Sequence, residues 1–472
     1  MSSTPPGLGC LSLSLVLSLV LPHKVVAADW YVDQSIGSDA NSGTTPLDPW
    51  RTITHAIRTV MGAGNHIHVA AGVYDEALGE EFPWRPPPGT TLEGSGRESV
   101  LIASSSSEVV NLVTFGGAPI DLDLRSLSYR GPRTFLKVQC VNQSGRVVLE
   151  DITVSEGGAI ALMLGNSIDT TTMTFDLQLH SCVVEADHTS GVLIQHEANQ
   201  GEIALSLSAQ NSLFRGNLAG IEIEGPILDL FPLGMTGVSL RVAHSDFVES
   251  YSHGALLDLS PWPAAIFAEF RNNIFSGNGN YGIHGRRVDS LVLNNNAFYD
   301  HGVGHFNAFI TEGEINSLEG ATANLVVDPG FVDGGAGDYH LRPDSNLVDQ
   351  GELFIGVPLF DFEDDLRVQD GDGDSMALPD IGFDEVPGAP SEVALLRNDD
   401  VTDLSPITPP LGSLLPLDPI VDSYITPFVA GGTDPDLDVL GRTSRPLVFY
   451  GTDPERILGL VKTVDGRIRI FF

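Results

Sequence analysis

From residue 125 onward, apolar and polar positions alternate in short runs that recur along the chain. The segments RSLSY (from 125), EDITV (150), HSCVV (180), QNSLF (210), AHSDF (243), RNNIF (271) and NNNAF (294) begin 23 to 33 residues apart. Each ends on an apolar residue: Tyr129, Val154, Val184, Phe214, Phe247, Phe275 and Phe298. A glycine follows most of them, and then a second short apolar run: GVLI (191), GIEI (220), GALL (254) and GIHG (282). Runs of this length with period-two alternation, punctuated by Gly and Asn, predict strands and turns, and no helical period competes with them. One such repeat cannot bury its own apolar face. Stacked coils can, if each strand pairs with its equivalent one coil on, about 4.8 Å away. A parallel β-helix is expected, with the seven terminal residues in an interior column. Ser181, Asn211, His244, Asn272 and Asn295, near the start of the repeats, are expected to stack as a polar ladder.

A solenoid needs its open ends covered. The stretch WYVDQSIGSDANSGTTPLDPWRTITHAI (30–57) starts as a strand, crosses a Gly/Ser/Asp/Asn loop and ends as a helix. Ile53, Ile57 and Val60 share one face of a helix predicted from about Trp50 to Met61, which suits a cap on the first coil. The loop GSDANSG carries oxygens at alternate positions, as a calcium loop does, but is read as a turn in which Asp39 and Asn41 bond local backbone. NHIHVAAGVY and GTTLEGSG supply the first coil strands.

Upstream, LSLSLVLSLVLP (11–22) is apolar but too short for a comfortable membrane span, and VVAAD offers small residues for cleavage after Ala27 or Ala28. Residues 1–28 are therefore read as a signal peptide, with an uncleaved anchor as the alternative because the first residues lack Lys and Arg. A secreted, cell-surface or periplasmic bacterial protein is expected. The 472 residues carry 62 Asp and Glu against 24 Lys and Arg, a net charge of -38, which argues against nucleic acid or anionic lipid as partner and suits cation binding. Cys140 and Cys182 are either a disulfide or two buried thiols; their spacing does not decide.

The quoted N-terminal stretch, with IHVAAGVYDE and PPGTTLEG, resembles the start of secreted right-handed parallel β-helix proteins of the pectate-lyase-like superfamily, above all the branch related to polysaccharide lyase family nine. VDPGFVDGGAGDYHLRPDSNLVDQGE (327–352) and DIGFDE (380–385) are similar to the closing segment of bacterial choice-of-anchor β-helix proteins. The resemblance implies an all-β, right-handed parallel β-helix over residues 29–316 with its N-terminal cap, closed by residues 317–386. Residues 387–420 hold seven prolines and read as a linker, and 421–472 as a small β tail of unassigned role whose last strands form a hairpin around Asp465 and Gly466.

Aligning strands on their glycines builds exterior columns. Leu193, Glu222, Leu256 and His284 stand two residues past the glycine; Gln195, Glu224, Asp258 and Arg286 stand four past it. Glu224 and Asp258 then face each other on adjacent coils. Carboxylates about 5 Å apart can hold Ca²⁺, or raise one pKa so that one acts as an acid, as in a retaining glycosidase. The competing reading is a charge ladder on a solvated face, with Arg286 offsetting Asp258. Glu222, Glu224 and Asp258 are thus candidate ligand-binding residues, and Glu224, Asp258 and Arg286 weak catalytic candidates.

The resemblance also implies lyase chemistry, with Ca²⁺ acidifying a uronate and a Lys or Arg as base. Only Lys137, Arg271, Arg286 or Arg287 could serve, and none sits in a matching motif, so no catalytic residue is transferred. His188, His196, His244 and His253 show no zinc-site spacing. In QDGDGDSMALPDIGFDE (369–385), Asp370, Asp372 and Asp374 alternate like the first ligands of a calcium loop and Asp380 could close the shell; a metal-free Asp-Gly turn is the alternative. The expected function is polysaccharide binding or surface presentation by a monomeric exported β-helix without catalysis. The alternatives are a polysaccharide lyase or hydrolase acting on acidic glycans, and a structural cell-surface protein.

Overall fold

The computed structural model describes residues 28–390, apart from the short stretches 106–107, 116–118, 133, 167–171, 199–200, 225–235, 259–263, 287, 355 and 375, together with the strand segments 395–396, 459–462 and 468–471. The signal-peptide reading, Arg287, and most of the linker and tail lie outside the described residues. Within them the chain is a parallel β-helix with three strand faces. One face runs from Ala28–Val32 through Asn65–Val69 and Thr90–Gly94 to Ala321–Thr322. A second runs from Gly72–Tyr74 to Leu325–Val326, and strands Ile120–Arg130 and Gly145–Ser155 are long enough to cross both. The third is an eight-stranded sheet from Glu108–Phe115 to Gly304–Phe306.

The expected interior column is present. Register links Tyr129, Val154, Val184, Phe214, Phe247, Phe275 and Phe298 rung by rung, and all seven side chains are fully buried. The four phenylalanines stack at centroid distances of 4.7, 4.8 and 5.2 Å, within 10° of parallel. The rung spacing itself brings the rings into contact, adding aromatic attraction to the area they bury.

Of the expected polar column, Asn272 Nδ2 and His244 Nε2 bond across coils at 3.0 Å, but the continuous ladder lies one residue later. Ser181, Asn211, His244, Asn272 and Asn295 occupy the corner between the first two faces with φ of 48° to 54°, the left-handed region that Asn tolerates best among residues with a side chain. That turn breaks the alternation, so the following residue points inward: Cys182, Ser212, Ser245, Asn273, Asn296 and Asn324 are fully buried. Their backbone N–H groups donate upward in sequence, Cys182 to Ser212 Oγ (3.2 Å), Ser212 to Ser245 Oγ (3.2 Å), Ser245 to Asn273 Oδ1 (3.0 Å), Asn273 to Asn296 Oδ1 (3.1 Å) and Asn296 to Asn324 Oδ1 (3.1 Å). At the next corner Ala186 donates to Asn217 Oδ1 and Ser250 to Asn278 Oδ1. These side chains satisfy corner amides that no strand can pair.

The left-handed corner residues have another task, which is to hold the closing segment against the coils. Asn211 Nδ2 donates to Phe360 O (2.6 Å), Asn272 Nδ2 to Glu352 O (2.9 Å) and Asn295 Nδ2 to Gln350 O (2.8 Å). Arg367 is fully buried beneath this segment. Its guanidinium donates to the carbonyls of Gly382, Phe383 and Asp384 and to Asn211 Oδ1, and lies 3.7 Å from the Glu385 carboxyl group. A buried charge persists only with such partners around it; here both Nη atoms are satisfied and Nε is left without a hydrogen bond.

The capping helix spans Ile53–Thr59, shorter than expected, and buries Ile53, Ile57 and Val60 against the first coil. The buried Glu80 carboxylate accepts the N–H groups of Ile53 (2.7 Å) and Thr54 (2.8 Å) at its positive end. Asp39 accepts from the backbone of Arg51 and Thr52, and Asn41 donates to Pro49 O, so the preceding loop is a turn that holds the cap. Cys140 and Cys182 are free, buried thiols. Gly459–Lys462 and Ile468–Phe471 pair antiparallel, with Leu395–Leu396 on the outer edge of the latter. Among the described residues no helix is long and apolar enough to cross a membrane.

Removing one ring from the stack leaves a void that flanking rings, fixed by the ladder, cannot fill. Phe247→Ala should lower unfolding free energy by about 3–5 kcal/mol in denaturant titrations; a loss indistinguishable from that of an exposed-site substitution would contradict the column.

Candidate functional site on the third face

Along the third face, Ile221, Ile223, Ala255, Leu257 and Ile283 point into the core and are fully buried. Alternation therefore turns Glu222, Glu224, Leu256, Asp258, His284 and Arg286 outward. Register pairs Leu193 with Glu222, Glu222 with Leu256 and Leu256 with His284; it likewise pairs Gln195 with Glu224, Glu224 with Asp258 and Asp258 with Arg286. Both expected columns are thus assembled. Arg286 Nη1 lies 3.0 Å from Asp258 Oδ2, so Asp258 is charge-compensated on the side away from Glu224.

The more perturbed carboxyl is Glu222. Burial pushes it up, the Ser190 hydroxyl donating to it opposes this, and the neighbouring Glu224 pushes it further, to about 7. The carboxyl–carboxyl coupling at Glu222 therefore lies along one strand, at positions i and i+2. A period-two pattern contains that signal, since EIE on a half-buried strand must put both glutamates on one face.

Next to the carboxyls lies an aromatic patch. The His284 ring is 4.8 Å from Tyr281 and 5.4 Å from His253, and Tyr281 is 5.5 Å from His253. Burial, and secondarily His284, push the His253 imidazole down to about 4. His284 is lowered by burial and by Arg286, against Asp258. This face presents carboxyl groups, one of them raised to about 7, with an amide, a guanidinium and imidazole and phenol rings. Such groups donate to, accept from and stack on polyhydroxylated ligands.

The remaining candidate bases are placed elsewhere. Lys137 shares the outer column of Glu222 but stands three rungs away, roughly 14 Å at strand spacing, and pairs with Glu108 at 2.8 Å. Arg271 is held by Glu269 and by Glu352 of the closing segment.

At the acidic loop, Asp370 and Asp372 come together with Asp349, their carboxylate oxygens within 4.8 Å of one another. Asp349 also accepts the N–H groups of Asp372 (3.0 Å) and Leu378 (3.1 Å). Asp374 and Asp380 are outside this group. Asp374 accepts from Met376 N–H (2.7 Å). Asp380 is buried and accepts N–H from Asp349 (2.7 Å) and Val386 (2.8 Å) through its two oxygens; burial, opposed by these bonds, moves it to about 7. Asp349 comes from DSNLVDQ, too distant in sequence for a loop-motif reading to include it. Two further clusters were not foreseen: His340, Glu363 and Asp384 meet in the closing segment, and Asp29, His66 and His68 converge on the first face. For the latter the signal was H-x-H in NHIHV, two imidazoles on one side of a strand.

Residues 35–120 match a family model described as a protein of unknown function (DUF1565), which covers the capping helix and first coils, where the sequence resemblance begins. No curated protein matches significantly. Among solved structures the chain is similar to pectate lyase Pel9A, at 14% identity and a TM-score of 0.38 over 76% of this chain and 96% of that one. It is also similar to a rhamnogalacturonan lyase, at 12% and 0.36 over 65% and 90%. A third likeness is to a GH136 lacto-N-biosidase from Eubacterium ramulus, at 13% and 0.32 over 64% and 67%. Likeness at this level assigns no residue role to the chain.

The Glu222 geometry carries a pH signature. Its carboxyl is raised in the fold from an ordinary 4.5 to about 7, so between those values the folded state keeps a proton that the unfolded chain has lost. Stability contributed by this group is present at low pH and falls as pH rises through that window. Glu222→Gln should therefore gain melting temperature relative to the native chain as pH is raised from about 5 to about 8. Parallel melting curves across that range would contradict the raised value.

Proposed function

We propose that this chain is an exported, monomeric polysaccharide-binding β-helix whose third face is the binding surface. One observation carries the reading: the half-buried, proton-retaining Glu222 beside Glu224, in a row that continues through Asp258 and Arg286 and is flanked by Tyr281, His253 and His284. The row repeats at strand spacing, about 4.8 Å, so an extended polymer can contact several coils at once. With a net charge of -38, uncharged or cation-bridged glycans are favoured over free polyanions.

A second reading is hydrolysis. It is favoured by the same Glu222, since a carboxyl raised to about 7 beside a second carboxyl suits a general acid and its partner. A lyase reading has less support, because the described basic side chains near this row are committed to ion pairs.

Binding and turnover separate in one experiment. The protein is passed through affinity gels loaded with neutral glycans or polyuronates, and the same polymers are assayed for new reducing ends and for the absorbance of unsaturated products. Retardation by a neutral glycan without product is expected, with Tyr281→Ala and Glu222→Gln each weakening retention about tenfold, the scale of one lost stacking or hydrogen-bonding contact. Reducing ends that vanish in Glu222→Gln would establish the hydrolase reading instead. No retention on any gel together with no new reducing ends would sink both.

Calcium is proposed at Asp349, Asp370 and Asp372, where three carboxylates converge within 4.8 Å of one another. There it would tie the acidic loop to the closing segment. Chelator should lower the melting temperature, calcium should restore it, and Asp372→Ala should blunt the response; at a hundredfold excess over the dissociation constant the gain is about 2.7 kcal/mol. An unchanged melt in chelator would leave a plain turn.

A further inference from the structure

The exterior of the first face carries a cluster that the proposed polysaccharide surface does not use. Ile67 and Leu92 point inward and are fully buried, so His66, His68 and Glu93 point outward from neighbouring strands. On the strand before them, Asp29 pairs with His66 and Tyr31 with His68. Four side chains from three successive rungs therefore meet on one patch. The two imidazole centroids are 4.0 Å apart. Asp29 Oδ1 lies 3.1 Å from His68 Nε2 and 3.9 Å from His66 Nδ1, while His66 Nε2 lies 2.6 Å from Glu93 Oε2.

These distances divide the atoms into two roles. Three donors face a common point: Asp29 Oδ1, one nitrogen of His66 and one of His68, all within 4.8 Å of each other. Tetrahedral ligands at 2.0–2.1 Å from zinc stand about 3.4 Å apart, between the two observed separations. The other nitrogen of His66 is engaged by Glu93, the carboxylate–histidine arrangement that fixes tautomer and ring orientation at metal centres. Tyr31 stacks on His68 at 5.1 Å and 20° and steadies the second ring. The Asp29 side chain is 62% exposed, so the cluster is open to solvent for a fourth ligand such as water.

We propose that Asp29, His66 and His68 bind a divalent transition-metal ion of the zinc type, with Glu93 as the residue that positions His66. Two imidazoles and one carboxylate form a donor set suited to zinc and its neighbours rather than to calcium or magnesium, which take oxygens. The ligands stand on hydrogen-bonded strands of a rigid solenoid, so little ordering is needed on binding. The strongly acidic chain adds long-range attraction for cations. The bound ion would link the outermost strand of the helix to the next and secure its N-terminal edge.

The full chain, stripped with chelator and dialysed, is titrated calorimetrically with Zn²⁺ and, separately, with Co²⁺ while the visible spectrum is recorded. The expected result is one tight equivalent in the micromolar range or below, with a Co²⁺ spectrum of nitrogen and oxygen ligation and no competition from millimolar Ca²⁺. The His66→Ala, His68→Ala double variant should lose that equivalent, and Glu93→Gln should weaken it by about 10- to 100-fold. Asp370→Asn should leave it unchanged, which separates this site from the acidic loop. The Co²⁺ spectrum of the native chain reads the ligand set without any variant, so an unstable substitution does not obscure the outcome. Absence of tight Zn²⁺ binding by the native chain, or an undiminished equivalent in the double variant, overturns the assignment.

Discussion

In-register parallel pairing between successive coils is the constraint from which the rest of this molecule follows. Every strand must lie one rung from its equivalent, and any residue placed inside one coil meets its counterpart from the next. Whatever side chain suits one position must therefore suit its own copy as a neighbour. Phe214, Phe247, Phe275 and Phe298 meet that demand by stacking at 4.7 to 5.2 Å. Asn273, Asn296 and Asn324 meet it by passing amide hydrogen bonds along the axis. The outer columns follow the same register, which sets Glu224, Asp258 and Arg286 on successive rungs and brings Arg286 against Asp258.

The corners show how a regular stack accommodates an irregular closing segment. A left-handed residue at each turn lifts one side chain out of the alternation and offers it to whatever lies outside. Asn211, Asn272 and Asn295 use this position to grip residues 350–360, and Arg367 completes the attachment from the other side by bonding Asn211 and the carbonyls of 382–384. The motif DIGFDE is thereby explained: Asp380, Asp384 and Glu385 are buried in this seam, accepting backbone amides, with burial holding Glu385 up to about 10 despite Arg367.

Most of the fold was legible in the sequence because the spacing of the terminal aromatics reports the coil length directly. The exterior register of Glu222, Glu224, Asp258 and Arg286 was legible for the same reason, counted from the glycine of each coil. The internal ladder was misplaced by one residue because alternation is a property of extended backbone, and the left-handed corner interrupts it just before Ser212, Asn273 and Asn296. The acidic loop was read from local spacing alone, so Asp349, which only folding brings to Asp370 and Asp372, could not be foreseen. The His66–His68 pair was visible on a predicted strand, but its carboxylate partner lies a full coil earlier in the chain.

The seam over the corners also decides how the molecule would respond to tension. A solenoid pulled at its last coil alone would unzip one rung at a time, each breaking under nearly the whole force. Here the chain leaving the last coil folds back, and residues 350–385 are fastened to coils as far up as Asn211 and, through Arg97 and Phe362, further still. A pull on the C-terminal end would be delivered to several coils together, along the direction in which the attachments resist sliding. Rupture would require many bonds to yield at once, which gives the β-helix the mechanical character of a lap joint rather than that of a zipper.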